Sequence, residues 1–244
     1  MTWGQAAVAA TETDAAEPVV LHFADHAFEA LPSGALFWRA ENCLLVADLH
    51  LEKLSSFARR GQLLPPYDTG LTLKRLEADL NATGATELIA LGDSFHRDEG
   101  TATLGETDRL RLERMMHRTR WIWISGNHDP APHTLGGLCT AEVKRAGLTL
   151  THHPRRGVAG LVAGHLHPAA HLSINGRSVR RPCFVHDHNL LVLPAYGSAT
   201  GTLNIMAPDA ATLFDWAGLS VAMVGKDRVY AVPPKRLVAG YEGW

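Results

Sequence analysis

Apolar runs of strand length recur along the first two thirds of the chain, at Val19 to Phe23, Cys43 to Ala47, Glu87 to Leu91, Trp121 to Ser125, Leu148 to Thr151 and Leu161 to Ala163. Between them lie segments with helical spacing. Leu71, Leu73, Leu76 and Leu80 make one apolar face, and Leu104, Leu110, Leu112, Met115 and Met116 make a second whose remaining positions are charged. After Gly164 the pattern becomes β-rich: short apolar runs at Arg180 to Val185, Leu190 to Leu193, Thr202 to Ile205, Thr212 to Asp215 and Arg228 to Val232 are separated by turn residues such as Asn175-Gly176 and Asp187-His188-Asn189. Alternating strands and helices followed by a strand-rich half predict an α/β fold, two β-sheets packed as a sandwich and flanked by helices. Residues 1–17 are rich in Ala, Thr and acids without apolar periodicity and read as a loosely ordered tail. With no repeat and no linker-like stretch, residues 18–244 are expected to form a single domain.

From Cys43 onward, each of the listed runs in the first two thirds leads directly into residues that can ligate a metal. The five segments are Asp48-Leu49-His50, Gly92-Asp93, Gly126-Asn127-His128-Asp129, His152-His153 and Gly164-His165-Leu166-His167. In α/β sheets, ligands gather at the carboxyl ends of strands, so loops distant in sequence can converge on one site. A Gly-Asp pair alone more often makes a turn. The ordered set instead spells a two-metal phosphoesterase, because a pair of divalent ions roughly 3.5 to 4 Å apart can hold a phosphate ester and stabilise both attacking and leaving oxygens. The donors are imidazole, carboxylate and amide oxygen. Such a shell suits manganese, iron, zinc or nickel, and no thiolate in the set commits it to structural zinc.

Composition narrows the alternatives. The chain of 244 residues is 46% hydrophobic, enough for a sizeable core, and its formal net charge of -2 argues against a polybasic nucleic-acid binder while allowing a focused basic groove. Cys43, Cys139 and Cys183 give an odd count with no paired spacing, which predicts buried free thiols and a reducing compartment. No apolar run approaches the roughly 18 residues of a membrane span, and the N-terminus lacks a secretory pattern, so the expected location is the cytoplasm, with no membrane association.

The order Asp-x-His, Gly-Asp, Gly-Asn-His-Asp, His and Gly-His-x-His, from Asp48 to His167, resembles the calcineurin-like metallophosphoesterases. A narrower resemblance, to the bacterial DNA-ligase-associated metallophosphoesterases, rests on several further stretches. These are Asp48 to Lys53, Leu64-Pro65-Pro66-Tyr67-Asp68-Thr69, Gly92-Asp93-Ser94-Phe95-His96, Gly164 to Pro168, Arg181-Pro182-Cys183-Phe184 and Leu193-Pro194-Ala195-Tyr196-Gly197. This resemblance implies a double-sheet fold with a dinuclear centre, a preference for manganese, endonucleolytic cleavage of DNA in repair, and functional association with a DNA ligase. Carried over motif by motif, Asp48, His50 and His167 hold the first metal, Asn127, His152 and His165 the second, and Asp93 bridges both. His152 is preferred over His153 because the subfamily has a His-x-Pro pattern there. Residues two apart on an extended segment point the same way, which is expected to aim Asp48 with His50 and His165 with His167.

His128 is then left to act as general acid on the departing alkoxide, opposite in-line attack by a metal-bridging hydroxide on a phosphodiester. Asp129 is expected either to orient a ligand histidine or to cap the following turn. Candidate substrate contacts are His96, Arg97, His153, Arg155 and Arg156, with Lys53, Arg59 and Arg60 also near the ligand loops in sequence. Phe95 and Tyr196 are candidate platforms for bases, with burial the alternative for Phe95. The expected substrate is DNA, single-stranded by preference. A phosphomonoesterase or a small-molecule phosphodiesterase acting on cyclic nucleotides is the alternative, and a non-catalytic scaffold ranks last. The apolar segments beyond Arg180 serve either the second sheet or a homodimer face.

Overall fold

The structure, a computed structural model, describes residues 18–58, 61 and 67–239. The tail 1–17, Arg59, Arg60 and the stretch 62–66 lie outside the described residues.

A seven-stranded sheet contains β1 (Val19–Phe23), β2 (His26–Ala30), β3 (Leu36–Trp38), β4 (Cys43–Val46), β5 (Glu87–Leu91), β6 (Arg120–Ile124) and β7 (Leu138–Thr140), side by side in chain order. Pairing is antiparallel up to β4 and parallel from β4 to β7. The second sheet has nine strands: β8 (Glu142–Arg145), β9 (Leu148–Thr151), β10 (Leu161–Ala163), β11 (Pro168–Ile174), β12 (Arg177–His186), β13 (Leu190–Val192), β14 (Leu203–Asn204), β15 (Ser220–Val224) and β16 (Val229–Val232). Its order is β14-β11-β12-β13-β10-β9-β8, with β15 and β16 added on β12. The helices are α1 (Lys53–Ala58), α2 (Asp68–Thr83), α3 (Gly100–Thr103), α4 (Glu106–Arg118) and α5 (Pro208–Ala211).

The alternation of side chains along β4 shows how the layers are built. Cys43 and Leu45 face the second sheet, joining Ile89, Ile122, Leu150, Val162 and Phe184 in the core between sheets. Leu44 and Val46 face the other way, onto Leu73, Leu76 and Leu80 of α2 and Leu112 and Met115 of α4. Burial on both faces accounts for the near-continuous apolar runs of the parallel strands. A third cluster covers the outer face of the second sheet, where Phe214, Leu219 and Leu237 pack on Ala170, Cys183 and Val185.

Three expectations need correction. Leu71 and Leu110 do not belong to the apolar helix faces: both are exposed, and the core side is set by Leu73, Leu76 and Leu80 and by Leu112 and Met115. Thr212 to Asp215 is not a strand: it is the turn between the short α5, which Pro208 opens and which ends at Ala211, and a 3-10 turn that starts where the Asp215 carboxylate accepts the Ala217 N–H. Several strands with little periodicity of their own, β2, β3, β7, β8 and β15 among them, were not marked in the sequence and form as partners of stronger neighbours. The Asn175-Gly176 turn does join β11 to β12, with φ of 50° and 74°. Cys43, Cys139 and Cys183 are all free.

Candidate metal centre

The five motifs meet where the parallel strands end. Ala47, after β4, bridges Ala195, and Asp48 N–H donates to the Gly92 carbonyl at 3.2 Å, His50 N–H to the Asp93 carbonyl at 2.9 Å and Gly164 N–H to the His152 carbonyl at 3.1 Å. These bonds lace together the loops after β4 and β5 of one sheet and after β9 and β10 of the other. The loops are not extended as expected. Asp48, His50, Asp93, His165 and His167 all have left-handed backbones, with φ between 42° and 72°. Each costs on the order of 1 kcal/mol or more for a residue with a Cβ. The cross-loop hydrogen bonds compensate, and the paired side chains are aimed by this kinked path rather than by strand alternation.

The motif glycines serve close approach. A Cβ at Gly92 would collide with the His152 ring and one at Gly126 with Asp93, while one at Gly164 would sit 2.8 Å from the Ala47 Cβ and 2.9 Å from the Asp48 carboxylate. Backbone and donor side chains are packed too tightly there for any side chain.

Two groups of donors share Asp93. On one side His50 Nε2 lies 3.2 Å from His167 Nε2 and 3.8 Å from Asp93 Oδ2, and His167 Nε2 lies 3.5 Å from Asp48 Oδ1. On the other, His152 Nε2 is surrounded by Asn127 Oδ1 at 3.0 Å, His165 Nδ1 at 3.1 Å and Asp93 Oδ1 at 3.4 Å. Asp48, Asp93 and His152 are nearly or fully buried. Backbone carbonyls orient the rings: His152 Nδ1–H donates to Leu91 O at 2.9 Å and His167 Nδ1–H to Gly201 O at 3.2 Å, so Nε2 of each is turned toward the other donors. A divalent cation among them would relieve the repulsion between donor atoms crowded this closely. The donor set, mixed nitrogen and oxygen with no thiolate, therefore fits divalent metal ions.

The electrostatics agree. Burial opposes ionisation of Asp93, but bonds from the His152 ring and the His128 N–H, together with the nearby imidazoles, hold its carboxyl well below the ordinary range. Burial followed by the charge of His167 pushes His50 down to about 3, so its ring is neutral at physiological pH. Burial works against protonation of His152, yet Asp93 and Asp48 raise it overall. His165 is lowered by burial and by His152 and His153.

His128 sits at the rim, its side chain 40% exposed, with Nε2 4.0 Å from Asp93 Oδ2. Its N–H donates to Asp93 Oδ1 at 2.9 Å, and its Nδ1–H to the His96 carbonyl at 3.2 Å. The His96 ring stacks on it, centroids 5.2 Å apart. Asp129 is buried and accepts the N–H groups of Gly126, within its own turn, at 3.1 Å and of Phe95 at 3.0 Å, pinning two donor loops together.

The other candidates divide. His153 is exposed, with its ring 4.4 Å from that of His165, and Arg97 and Lys53 are partly buried beside the donor loops. Arg155 pairs with Glu142 at 3.7 Å, and Arg156 is exposed. Phe95 is fully buried between Trp123 and His133. Tyr196 is no platform for a base: it too is fully buried, its hydroxyl donates to Asp79 at 2.7 Å and the Arg75 guanidinium covers its ring. Sequence reasoning missed the carbonyls of Leu91, His96 and Gly201, which carry no side-chain signal.

Among the described residues no helix is long and apolar enough to cross a membrane. No protein-family model matches the sequence, and no curated protein does. Solved structures do. The crystal structure of Pseudomonas putida nuclease MPE superposes with a TM-score of 0.70 at 26% identity, covering 88% of this chain and 100% of that one. YfcE, a phosphoesterase from E. coli, aligns over 81% of this chain and 96% of its own at 14% identity, with a TM-score of 0.32. With two sheets joined at their ligand loops, donors grouped about Asp93 and a solved nuclease matching along its full length, the chain is similar in fold to the metallophosphoesterases and carries the donor set of a metal-dependent hydrolase of phosphate esters.

Proposed function

We propose that this protein is a phosphodiesterase with two metal ions that cuts DNA internally, preferring single strands. The observation that carries the dinuclear reading is the position of Asp93, whose Oδ2 faces His50 and whose Oδ1 faces His152. Asp48, His50 and His167 would hold one ion, Asn127, His152 and His165 the other, with Asp93 between them. Because the donors come from both sheets, the two halves would form one catalytic domain from residue 18 onward. The likeness to a protein described as a nuclease supports nucleic acid as the substrate.

The metals would supply Lewis acidity and a nucleophile at neutral pH. The chain's own residues do the rest. Asp93 fixes the His128 backbone, and the His96 carbonyl holds His128 Nδ1–H, so Nε2 is the nitrogen turned to the site and the one that would give its proton to the leaving alkoxide. His96, stacked against it, limits rotation of the ring. Exposure of His128 at the rim matches a group that must meet the substrate.

The test is cleavage of a single-stranded circular DNA by manganese-loaded protein, with Asn127→Ala as the blank. Linear strands from wild type alone support the reading. Intact circles from protein that still hydrolyses bis(p-nitrophenyl) phosphate would replace it with a small-molecule phosphodiesterase.

A further inference from the structure

The register of the second sheet carries one arm outward from the strand ends that hold the donors. Ala163, at the ligand end of β10, is level with Val192 of β13 and Val185 of β12. From that level β12 continues outward to Arg177, paired first with β15 and then with β11. At about 3.3 Å per residue this arm reaches roughly 25 Å past the strand ends that carry the donors. Its base is covered by Phe214, Leu219 and Leu237, but nearer its tip a cleft of ≈ 380 Å³ opens on the outer face.

The chemistry of the cleft is distinctive. Ile174, Val179 and Tyr230 contribute apolar and aromatic surface, with Ile174 44% and Tyr230 47% exposed, and Arg181, Lys226 and Arg236 contribute charge. No carboxylate lines it, and among the described residues none of these three cations forms an ion pair; Arg181 bonds only the Arg180 carbonyl, at 3.0 Å. Asp227, in the same turn as Lys226, is not among the lining residues. The Tyr230 ring lies against Gly225, where a Cβ would not fit, and carries the Arg228 guanidinium 4.8 Å from its centroid. Aromatic surface with unpaired cations in a chain of net charge -2 is the pattern of a surface that takes a polyanion with flat, apolar bases.

We propose that this face of the arm holds the single-stranded flank of the nucleic acid that is cut at the metal centre, bases against Tyr230 and Ile174, phosphates on Arg181, Lys226 and Arg236. The proposal rests on the nuclease reading above. It assigns DNA affinity to a surface separate from the donors, so that binding and chemistry can be removed independently.

The experiment compares wild type, Tyr230→Ala and the double variant Lys226→Glu with Arg236→Glu, after equal thermal melting shows that all fold. Oligo-dT binding by fluorescence anisotropy should weaken by roughly tenfold in Tyr230→Ala, and the double variant should flatten the dependence of log Kd on log salt by about one unit or more. KM for the single-stranded circle should rise in step, with hydrolysis of bis(p-nitrophenyl) phosphate unchanged. Unchanged oligo-dT binding and unchanged KM would overturn the inference. So would variants that alter only the sedimentation of the protein, since the face would then belong to a second copy. Wild type that cleaves the small diester but neither binds nor cuts DNA would instead overturn the nuclease reading.

Discussion

The Asp93 carboxylate accepts the backbone N–H of His128 at 2.9 Å while its other oxygen lies 4.0 Å from the same residue's Nε2. One side chain thus stands between the two donor groups and also positions the proposed acid. The roles separate by substitution. Asp93→Ala should lose bound metal and activity together, whereas His128→Ala should keep its metal and lose roughly 10²- to 10⁴-fold in turnover on a diester with a poor leaving group. Metal analysis alongside kinetics decides it; full activity of His128→Ala on such a substrate removes His128 from the mechanism.

Gly126 tests the argument from close approach. Its missing Cβ is the space that Asp93 occupies. Gly126→Ala should displace the Asp93 carboxylate, lowering metal affinity by at least as much as loss of a neighbouring support, roughly 10- to 100-fold. Calorimetric titration with manganese measures it. Wild-type affinity would mean that the loop relaxes freely.

Asp129 ties the Gly126 and Phe95 amides together. Burial pushes its carboxyl up to about 6 in spite of those bonds. Asp129→Ala should leave two buried N–H groups unpaired, and amide exchange at Gly126 and Phe95 should accelerate while metal affinity drops. Protection equal to wild type at both amides would show that the tether is dispensable.

The buried imidazole of His50 makes a pH prediction for the metal-free protein. Its value is depressed from 6.5 to about 3, so below pH 6.5 the unfolded chain takes up a proton that the folded chain refuses. Stability contributed by this residue is therefore present above pH 6.5 and lost progressively as pH falls toward 3. His50→Gln should flatten that part of the stability curve, followed by urea denaturation across the range. An unchanged slope would mean that His50 is not desolvated in solution.

Much of this was legible in the sequence because the strands leading to the site are buried on both faces. Cys43 to Val46, Glu87 to Leu91 and Leu161 to Ala163 announce themselves as apolar runs, and the donors follow each run within a few residues. The geometry of the donors was not legible. Alternation gave a plausible reason for Asp48 to point with His50, but the real cause is a left-handed path held by carbonyls of the neighbouring loop. Leu91, His96 and Gly201 act through main-chain oxygen, which any residue has. Tyr196 read as a base platform because exposure is a tertiary property: its contacts with Asp79 and Arg75 lie more than 100 residues away in sequence. The exposed face of the arm emerges only from the register that pairs β12 with β11 and β15.

Metal stoichiometry tests the central claim most directly. Protein stripped of metal and titrated with manganese, read by elemental analysis after gel filtration, should bind two ions per chain. Asn127→Ala should bind one, because His50, His167 and Asp48 remain intact on the other side of Asp93. A wild-type chain that saturates at one ion, or binds none, would contradict the two-metal account.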